Sequence, residues 1–311
     1  MSAHSPAAPA RPEADAARRV LDCRGRTLDL DRAHVMGILN VTPDSFSDGG
    51  QYATVQAAVA RAAQMADEGA SIVDVGGEST RPGAEAVGLD EELARVVPVV
   101  EAVARDLPHV LISVDTTKGA VARAALRAGA HIVNDVTGLR DGVGTAVAAA
   151  EYGAPLVVMH ALAKTGGTAS EADYGDVVDD VIASLQASVA RAEAAGVRDV
   201  VVDPGFGFGK TPAQNLRLIA EVDRLGEALG RPVLVGVSRK STVGAVLGTP
   251  EAPAPVSERL FGSLGLAALA VVRGAAIVRA HDVRATAETL RLVAAAEAAR
   301  TEAAHPEAAG A

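Results

Sequence analysis

Apolar and polar positions follow two different rhythms along this chain. Short runs that are almost wholly apolar, as expected of strands covered on both faces, recur eight times. They lie at residues 35–39, 71–75, 110–114, 131–134, 155–159, 200–202, 232–236 and 276–279. Eight such runs predict eight buried, parallel strands.

Longer segments between these runs carry many alanines and repeat their apolar positions at helical spacing. The predicted helices cover residues 54–68, 90–105, 118–128, 144–152, 175–195, 213–229, 257–272 and 283–299. Alternation of strand and helix over eight units predicts an α/β fold, a single (β/α)8 TIM barrel. A doubly wound open sheet is the alternative, but no Gly-x-Gly-x-x-Gly turn follows the first strand.

The two ends of the chain differ from this pattern. Residues 1–18 are rich in alanine, proline and charge, and residues 301–311 have a similar composition. Such segments lack the apolar residues needed for a core, so we expect a disordered leader and a disordered tail. The barrel domain is predicted to cover residues 19–300.

Composition narrows the class of partner. The chain has 311 residues and a net charge of −10, which disfavours nucleic acid and anionic membranes as partners. The single cysteine, Cys23, cannot form an intrachain disulfide, and neither a secretory signal nor a long apolar span is evident. We therefore expect a soluble, cytoplasmic protein.

Aromatic residues make up only 2% of the chain, which makes their positions informative. Three of the four phenylalanines, Phe46, Phe206 and Phe208, lie in glycine-containing loops that follow apolar strands. A flat ring bound among those loops would account for them. The alternative is that one or two of them simply fill the open end of the barrel.

Polar side chains follow the predicted strands, where the active sites of TIM barrels lie. Asp115, Asn134 and Asp203 follow three of the strands and could bind the edge of a 2-amino-4-oxo-pterin or purine, because carboxylates and carboxamides match its donors and acceptors. Each of these residues alone could equally cap a turn or a strand end. Met159 at the end of the fifth strand is more typical of a core residue.

A second set of strand-end residues is cationic and predicts an anionic ligand. It consists of Lys240, Arg81, Arg279 and His281. Asn40, at the end of the first predicted strand, could supply an oxygen to Mg²⁺, which binds few protein ligands together with substrate phosphates. A diphosphate substrate fits both observations. A Walker-type phosphate loop at residues 205–211 is rejected, because Pro204 stands where its first glycine would be.

Six loops also carry long motifs that resemble those of the dihydropteroate synthases. The motifs are NVTPDSFSDGG at 40–50, GGESTRPG at 76–83, NDV at 134–136, DPGFGFGK at 203–210, SRKS at 238–241 and RAHDV at 279–283. The resemblance extends over residues 34–295. It implies a folate-pathway transferase that joins 6-hydroxymethyl-7,8-dihydropterin diphosphate to 4-aminobenzoate, giving 7,8-dihydropteroate and diphosphate.

The resemblance also implies roles for individual residues. The catalytic residues would be Asp115, Lys240, Arg279 and His281. The pterin would be held by Asp115, Asn134, Asp203, Lys240, Arg279 and Met159. The diphosphate would be held by Asn40, Arg81, Arg279 and His281, with Mg²⁺ on Asn40. The 4-aminobenzoate pocket, where sulfonamides should bind as inhibitors, would be formed by Phe46, Thr80, Arg81, Pro82, Phe208, Lys240 and Ser241.

The motifs are also compatible with two rival functions. In addition, one loop departs from the family pattern. The rivals are a methyltetrahydrofolate–corrinoid methyltransferase and a non-catalytic pterin-binding paralogue. After the fifth strand the family has His-Met-x-Gly-x-Pro, whereas this chain reads HALAKTGG at residues 160–167. Any contact from His160 or Lys164 is therefore unassigned. The family resemblance implies a homodimer.

Overall fold

A computed structural model describes residues 20–41, 50–78, 86–161, 174–249 and 251–304 of the chain. Four candidate site residues, Phe46, Thr80, Arg81 and Pro82, lie outside the described residues. So do the predicted leader and residues 305–311 of the predicted tail.

The described chain begins with an antiparallel hairpin that the sequence analysis did not predict. Its strands are β1 (Val20–Asp22) and β2 (Thr27–Asp29). Arg24 and Gly25 in the turn have φ of 60° and 81°, as a two-residue type I′ turn requires. Asp22 Oδ1 accepts a hydrogen bond from the Gly25 amide at 2.7 Å. Such short strands around an Arg-Gly turn carry too weak a pattern to be recognised in the sequence.

Eight parallel strands form a closed barrel. They are β3 (His34–Asn40), β4 (Ile72–Gly76), β5 (Leu111–Asp115), β6 (Ile132–Asp135), β7 (Leu156–Met159), β8 (Val200–Asp203), β9 (Val233–Val235) and β10 (Ala275–Ala280). Each of β3 to β9 pairs with the next strand, and β10 pairs with β3. Every predicted strand overlaps one of these, so the (β/α)8 barrel is confirmed.

Helices surround the strands. They are α1 (Gly50–Asp67), α2 (Leu89–Asp106), α3 (Gly119–Ala128), α4 (Gly144–Tyr152), α5 (Val177–Ala194), α6 (Pro212–Ala220), α7 (Val222–Leu229), α8 (Ser241–Leu247), α9 (Leu260–Val272) and α10 (Val283–Ala304). None of the helices in the described part of the chain is long and apolar enough to cross a membrane.

Three helix predictions differ from the structure. The single helix predicted over residues 213–229 is two helices, because Glu221 has non-helical dihedral angles between α6 and α7. The short helix α8 was not predicted. The last helix, α10, continues to Ala304, beyond residue 300 where the barrel domain was predicted to end.

Alternate residues of each barrel strand face opposite sides, as the period of two in a strand requires. Outward-facing residues such as Val73, Val75 and Val133 pack in the large core cluster with the helices. The inward-facing residues nearest the amino ends form a second apolar cluster, which we call the barrel floor. It contains Met36, Ile72, Leu111, Ile132, Val157, Val201, Leu234, Ala276 and Ile277. Two residues further along several strands, the inward-facing side chains become polar.

The hairpin packs against the floor. Leu21 of β1 and Leu28 of β2 belong to the same buried cluster as the floor residues, together with Cys23 and Leu30. Arg26 Nη1 donates a 2.9 Å hydrogen bond to the carbonyl of Val110, immediately before β5. The hairpin therefore covers the amino end of the barrel, and the polar interior lies toward the carboxyl end, which we call the barrel mouth.

Candidate active site

The candidate site residues that the structure describes lie around the barrel mouth. Neighbouring strands hold four residues side by side in register, namely Asn40, Gly76, Asp115 and Asn134. Met159 at the end of β7 pairs in the same way with Asp203 at the end of β8. Arg279 lies near the end of β10. The closed sheet thus brings together side chains that are distant in sequence.

A guanidinium between two carboxylates forms the centre of the site. Arg279 donates from Nε to Oδ2 of Asp74 and from Nη2 to Oδ2 of Asp115, each at 2.7 Å. Asp74 is fully buried, and its Oδ2 also accepts a 3.1 Å hydrogen bond from Asn134 Nδ2. This network connects β4, β5, β6 and β10 across the interior of the barrel.

Asp74 is a residue of this network that the sequence analysis missed. The predicted site residues lie just past the strand ends, whereas Asp74 lies in the middle of β4, between Val73 and Val75. The signal that could have revealed it is a charged residue inside an otherwise apolar strand, since a buried charge is costly unless it is paired.

Burial shifts the charge state of two carboxylates in the site. It raises the pKa of Asp115, although Arg279 opposes the shift, and Asp74 adds to it. Burial also raises the pKa of Asp203, against the effect of the hydrogen bond from the Gly205 amide. Both groups therefore accept a proton more readily than exposed aspartates, which suits them to ligand edges that carry exchangeable protons.

Glycine is required in the loop after β8. Gly205 has φ of 68°, and a Cβ at this position would lie 1.7 Å from the carbonyl oxygen of His160. Its amide donates to Oδ1 of Asp203 at 2.7 Å. Lys210 Nζ donates to the carbonyls of Gly205 and Phe208, at 2.9 and 3.2 Å. The loop is thus held closed by a lysine from its own end.

The loop after β8 also places an aromatic ring against a cation. Lys240 Nζ lies 3.9 Å from the centroid of the Phe208 ring, within the range of a cation–π interaction. Burial lowers the pKa of Lys240 to about 8 and that of Lys210 to about 7. By contrast, Phe206 is buried in the large core cluster, so this phenylalanine is a packing residue.

The loops after β9 and β10 are joined to each other. Ser238 Oγ lies 3.1 Å from His281 Nδ1 and accepts a 3.2 Å hydrogen bond from the His281 amide. Arg239, with φ of 58°, donates from Nε to Oδ2 of Asp282 at 2.8 Å. Ser241 begins α8 and is exposed. These contacts fix the backbone on both sides of Lys240.

An ion cluster around the buried Glu92 ties the loop after β4 to the loop after β5, and no role was predicted for its residues. Lys118 Nζ lies 2.5 Å from both Oε2 of Glu78 and Oε2 of Glu92. Glu92 is fully buried, and its Oε1 accepts a 2.6 Å hydrogen bond from Thr116 Oγ1, next to Asp115. The cluster therefore fixes the chain immediately after two of the strands in the site.

Two buried residues stand at the end of β7. Met159 and His160 are both buried, and among the described residues His160 Nδ1 has no hydrogen-bond partner. Burial lowers the pKa of His160 to about 3, so the imidazole is neutral at pH 7. Residues 162–173, which include Lys164, lie outside the described residues. His160 is thus not part of the cationic set.

Together these groups define the class of protein. A TIM barrel presents buried acceptors, a carboxamide and a planar guanidinium beside lysine and histidine side chains, which suits a flat heterocycle carrying an anionic group. A family model described as pterin binding enzyme matches residues 36–281. The chain belongs to this family of pterin-binding barrels.

Relatives narrow the assignment further. The dihydropteroate synthase of Escherichia coli strain K12 is 46% identical over 88% of this chain and 95% of its own length. The Xanthomonas albilineans dihydropteroate synthase with 4-aminobenzoic acid superposes with a TM-score of 0.82, at 46% identity over 91% of this chain and 99% of that one. A Yersinia pestis dihydropteroate synthase in a sulfonamide drug complex gives 0.80, at 44% identity over 90% and 100%. Within the family, the chain is a dihydropteroate synthase and hence a transferase.

The loop after β8 provides a test of this site's architecture. We expect Gly230→Ala to cost about 1–2 kcal/mol, the strain of a left-handed conformation, because Gly230 has φ of 59° and no atom within 4 Å of the added Cβ. Gly205→Ala should cost clearly more, because the added methyl group would overlap the His160 carbonyl. Urea unfolding midpoints of the two variants measure the difference, and equal losses would show that the close approach is not rigid.

Proposed function

We propose that the described side chains at the barrel mouth form the active site for joining 6-hydroxymethyl-7,8-dihydropterin diphosphate to 4-aminobenzoate, with release of diphosphate. The observation that carries this proposal is the buried network of Arg279, Asp74, Asp115 and Asn134. It lies in a barrel whose relatives are dihydropteroate synthases.

The pterin ring would occupy the polar interior of the barrel. Its amino-pyrimidine edge carries adjacent N–H groups and a carbonyl, which Asp115, Asn134 and Asp203 complement as buried acceptors and an amide. Lys240 would donate to the ring, and Met159 would pack beside it. Arg279 would stack on the ring face, since its guanidinium plane is held at two of its nitrogens.

The diphosphate would lie closer to the rim. Arg279 and His281 supply donors there, as does Arg81, which lies outside the described residues. The Ser238 contacts hold His281 on this side of the barrel. Cationic groups in this position would stabilise the negative charge that develops on the leaving diphosphate.

Mg²⁺ is the cofactor implied by the family resemblance, and the residues present fit it. The described part of the chain contains no group of three or more His, Cys, Asp or Glu residues able to hold a metal. Mg²⁺ needs no such group, because one or two protein oxygens together with substrate phosphates and water complete its shell. Asn40, partly exposed at the end of β3, would supply the protein oxygen. When bound, the ion would neutralise charge on the leaving group.

The 4-aminobenzoate would lie beside the diphosphate, against Phe208, Lys240 and Ser241. Ser241 is at the exposed amino end of α8, and Lys240 bears the only charge placed next to the Phe208 ring in the described part of the chain. Phe46, Thr80, Arg81 and Pro82, the other expected members of this pocket, lie outside the described residues. Sulfonamides would compete for the same pocket, as the Yersinia pestis complex supports.

In this reaction the residues would stabilise charge and position the two substrates. The amine of 4-aminobenzoate attacks the carbon that loses diphosphate, so a carbon–nitrogen bond forms, a carbon–oxygen bond breaks and the amine loses one proton. Asp115 would stabilise positive charge on the pterin, and the cationic residues would stabilise the departing anion. No activated serine or cysteine nucleophile is needed.

An assay of diphosphate release tests the proposed function. We expect release only when both substrates and Mg²⁺ are present, loss of the rate after chelation, and recovery when Mg²⁺ is restored. Asn40→Ala should raise the Mg²⁺ concentration needed for half-maximal rate. Absence of release under any of these conditions would contradict the assignment of the reaction, and an unchanged Mg²⁺ requirement would remove Asn40 as a metal ligand.

Lys240 gives a pH-dependent prediction. Lys240→Ala should weaken the binding of both substrates about 10- to 100-fold, which corresponds to the loss of a charged hydrogen bond of about 1.5–3 kcal/mol. Because burial lowers the pKa of Lys240 to about 8, the ammonium loses its proton as the pH rises through that value. Wild-type affinity for the anionic substrates should therefore fall above pH 8, and Lys240→Ala should lack this fall.

Lys210→Ala serves as the matched control for Lys240, because burial lowers the pKa of Lys210 as well, to about 7. The Lys210 variant should retain the loss of affinity above pH 8. Substrate titrations by calorimetry between pH 6 and about 10, the unperturbed lysine range, distinguish the two. Unchanged affinities in Lys240→Ala would remove that residue from the site.

We also propose that the chain forms a homodimer through α9. Phe261 is 81% exposed, and Leu269 and Val272 are exposed on the same face of the helix; Leu292 is exposed on α10, which packs against α9. Residues eight and eleven positions apart lie within one helical face. Exposed apolar side chains repeated along one helical face favour a self-complementary contact with a second copy.

Light scattering coupled to gel filtration checks the dimer. Phe261→Glu should halve the measured mass, because a charge would be buried without a partner. Val147→Glu is the control, since Val147 is an exposed apolar residue on another helix, α4, and this change should leave the mass unaltered. A Phe261→Glu protein with wild-type mass would place the interface elsewhere.

A further inference from the structure

Asp74 is a buried carboxylate to which the proposed reaction assigns no role. Its side chain is 0% exposed, inside the barrel, one layer above the floor residue Ile72 on the same strand. Its Oδ2 accepts from Arg279 Nε at 2.7 Å and from Asn134 Nδ2 at 3.1 Å. Among the described residues, Asp74 is the one whose side chain bonds to both of these site residues.

A purely structural role accounts poorly for this carboxylate. Removing a charge from water costs several kcal/mol by the usual order of magnitude, and an apolar side chain of similar volume is often equally or more stabilising at such a position. The Asp74 Oδ1 atom is buried without a hydrogen-bond partner among the described residues. Half of the carboxylate is therefore without a partner, so the two bonds to its other oxygen do not offset the full cost of burying the charge.

The bond to Asn134 sets the orientation of a carboxamide. An ionised carboxylate only accepts hydrogen bonds, so Asn134 must turn its NH₂ group toward Asp74. The carbonyl oxygen of Asn134 is thereby turned away from Asp74 and is free to accept from a ligand N–H. Without the carboxylate, the amide could reverse and present a donor where an acceptor is required.

The hydrogen bond that Asp74 accepts from Arg279 sets the orientation of the guanidinium plane. Guanidinium is rigid and flat, so contacts at Nε with Asp74 and at Nη2 with Asp115 fix both its position and its tilt. A single contact with Asp115 would leave rotation about that bond. Asp74 is therefore the second point that holds the face of Arg279 in one orientation.

We infer that Asp74 is a positioning residue of the pterin site, which holds the Asn134 carboxamide and the Arg279 guanidinium in the orientations that recognise the ring. This inference rests on the proposed function, because it presumes that those two residues bind the pterin. Asp74 acts through them and does not itself touch the reacting atoms.

The test is binding of 6-hydroxymethylpterin, which lacks the diphosphate and so reports on the ring site alone. By isothermal calorimetry, the nearly isosteric Asp74→Asn should bind this pterin at least about tenfold more weakly than wild type, the order expected for a lost charged hydrogen bond. In steady-state kinetics its KM for the pterin substrate should rise, whereas its KM for 4-aminobenzoate at saturating pterin should be unchanged.

Ser113→Ala is the matched control. Ser113 is paired with Asp74 in register on the adjacent strand, is fully buried and has a hydroxyl without a partner among the described residues. Removing this polar group from the same layer should leave pterin binding within about twofold, because no bond to a site residue is lost. A loss equal to that of Asp74→Asn would mean that any polar change in this layer matters, and would overturn the inference.

A double-mutant cycle separates positioning from structure. If Asp74 acts through Asn134, the variant carrying both Asp74→Asn and Asn134→Ala should lose less affinity than the product of the two single losses. Asp74→Leu, which has the same branched arrangement of heavy atoms but no polar group, provides a second variant: it should fold, as judged by thermal unfolding, and bind pterin weakly. Wild-type pterin affinity in either Asp74 variant, or fully multiplicative losses in the cycle, would overturn the inference.

The outcomes for the wild-type protein keep the two proposals apart. A wild-type chain that binds 6-hydroxymethylpterin and releases diphosphate, together with an unaffected Asp74→Asn variant, contradicts only the role of Asp74. A wild-type chain that binds no pterin contradicts the proposed function, and with it the role of Asp74.

Discussion

The polar interior of the barrel depends on one interaction, the pairing of the Arg279 guanidinium with two buried carboxylates. Asp74 and Asp115 lie in neighbouring strands, and two like charges at this depth would repel each other strongly without a cation between them. Burial by itself lowers the pKa of Arg279, but Asp74 and Asp115 outweigh this effect and its pKa is raised. The two carboxylates thus keep the arginine charged, and the arginine in turn offsets the repulsion between them.

The division of the interior into two layers follows from this constraint. The floor is apolar and is completed by leucines from the hairpin, so it supplies the buried surface that stabilises a closed barrel. The layer above the floor buries less apolar surface and so contributes less to stability. It carries polar groups whose partners lie on other strands. Since those partners are fixed by strand register, the sheet sets the geometry of this polar layer.

The fold could be predicted from the sequence because each strand is short, apolar and separated from the next by a helical segment. Period and composition alone located β3 to β10 within a few residues. The hairpin could not be found in this way, since its strands are too short for periodicity and its Arg-Gly turn is an unusual choice. The break at Glu221 was hidden for a related reason: residues 213–229 keep their helical spacing across it.

The site was predictable where strand ends were polar, and less so elsewhere. Asn40, Asp115, Asn134, Asp203, Arg279 and His281 all stand at or next to the carboxyl ends of strands, and Lys240 lies in the loop that follows β9, as the barrel pattern requires. Asp74 escaped because its position in mid-strand reads as core. Lys118 and Glu92 escaped because their pairing joins a loop to a helix, and no sequence pattern records which loop meets which helix. Phe206, conversely, looked like a ligand contact because it shares a loop with Phe208.

The hairpin at the lower end of the barrel has a further consequence. With Leu21 and Leu28 packed into the floor, the polar interior is a cup whose opening is the barrel mouth. A ring seated against Asp115 and Asn134 lies deeper in this cup than a ligand beside the exposed Ser241. If the two substrates bind as proposed, the deeper ligand would arrive first, and the product would leave through the same opening. Two three-residue strands at the opposite end of the barrel thus determine from which side the proposed ligands would enter the polar interior.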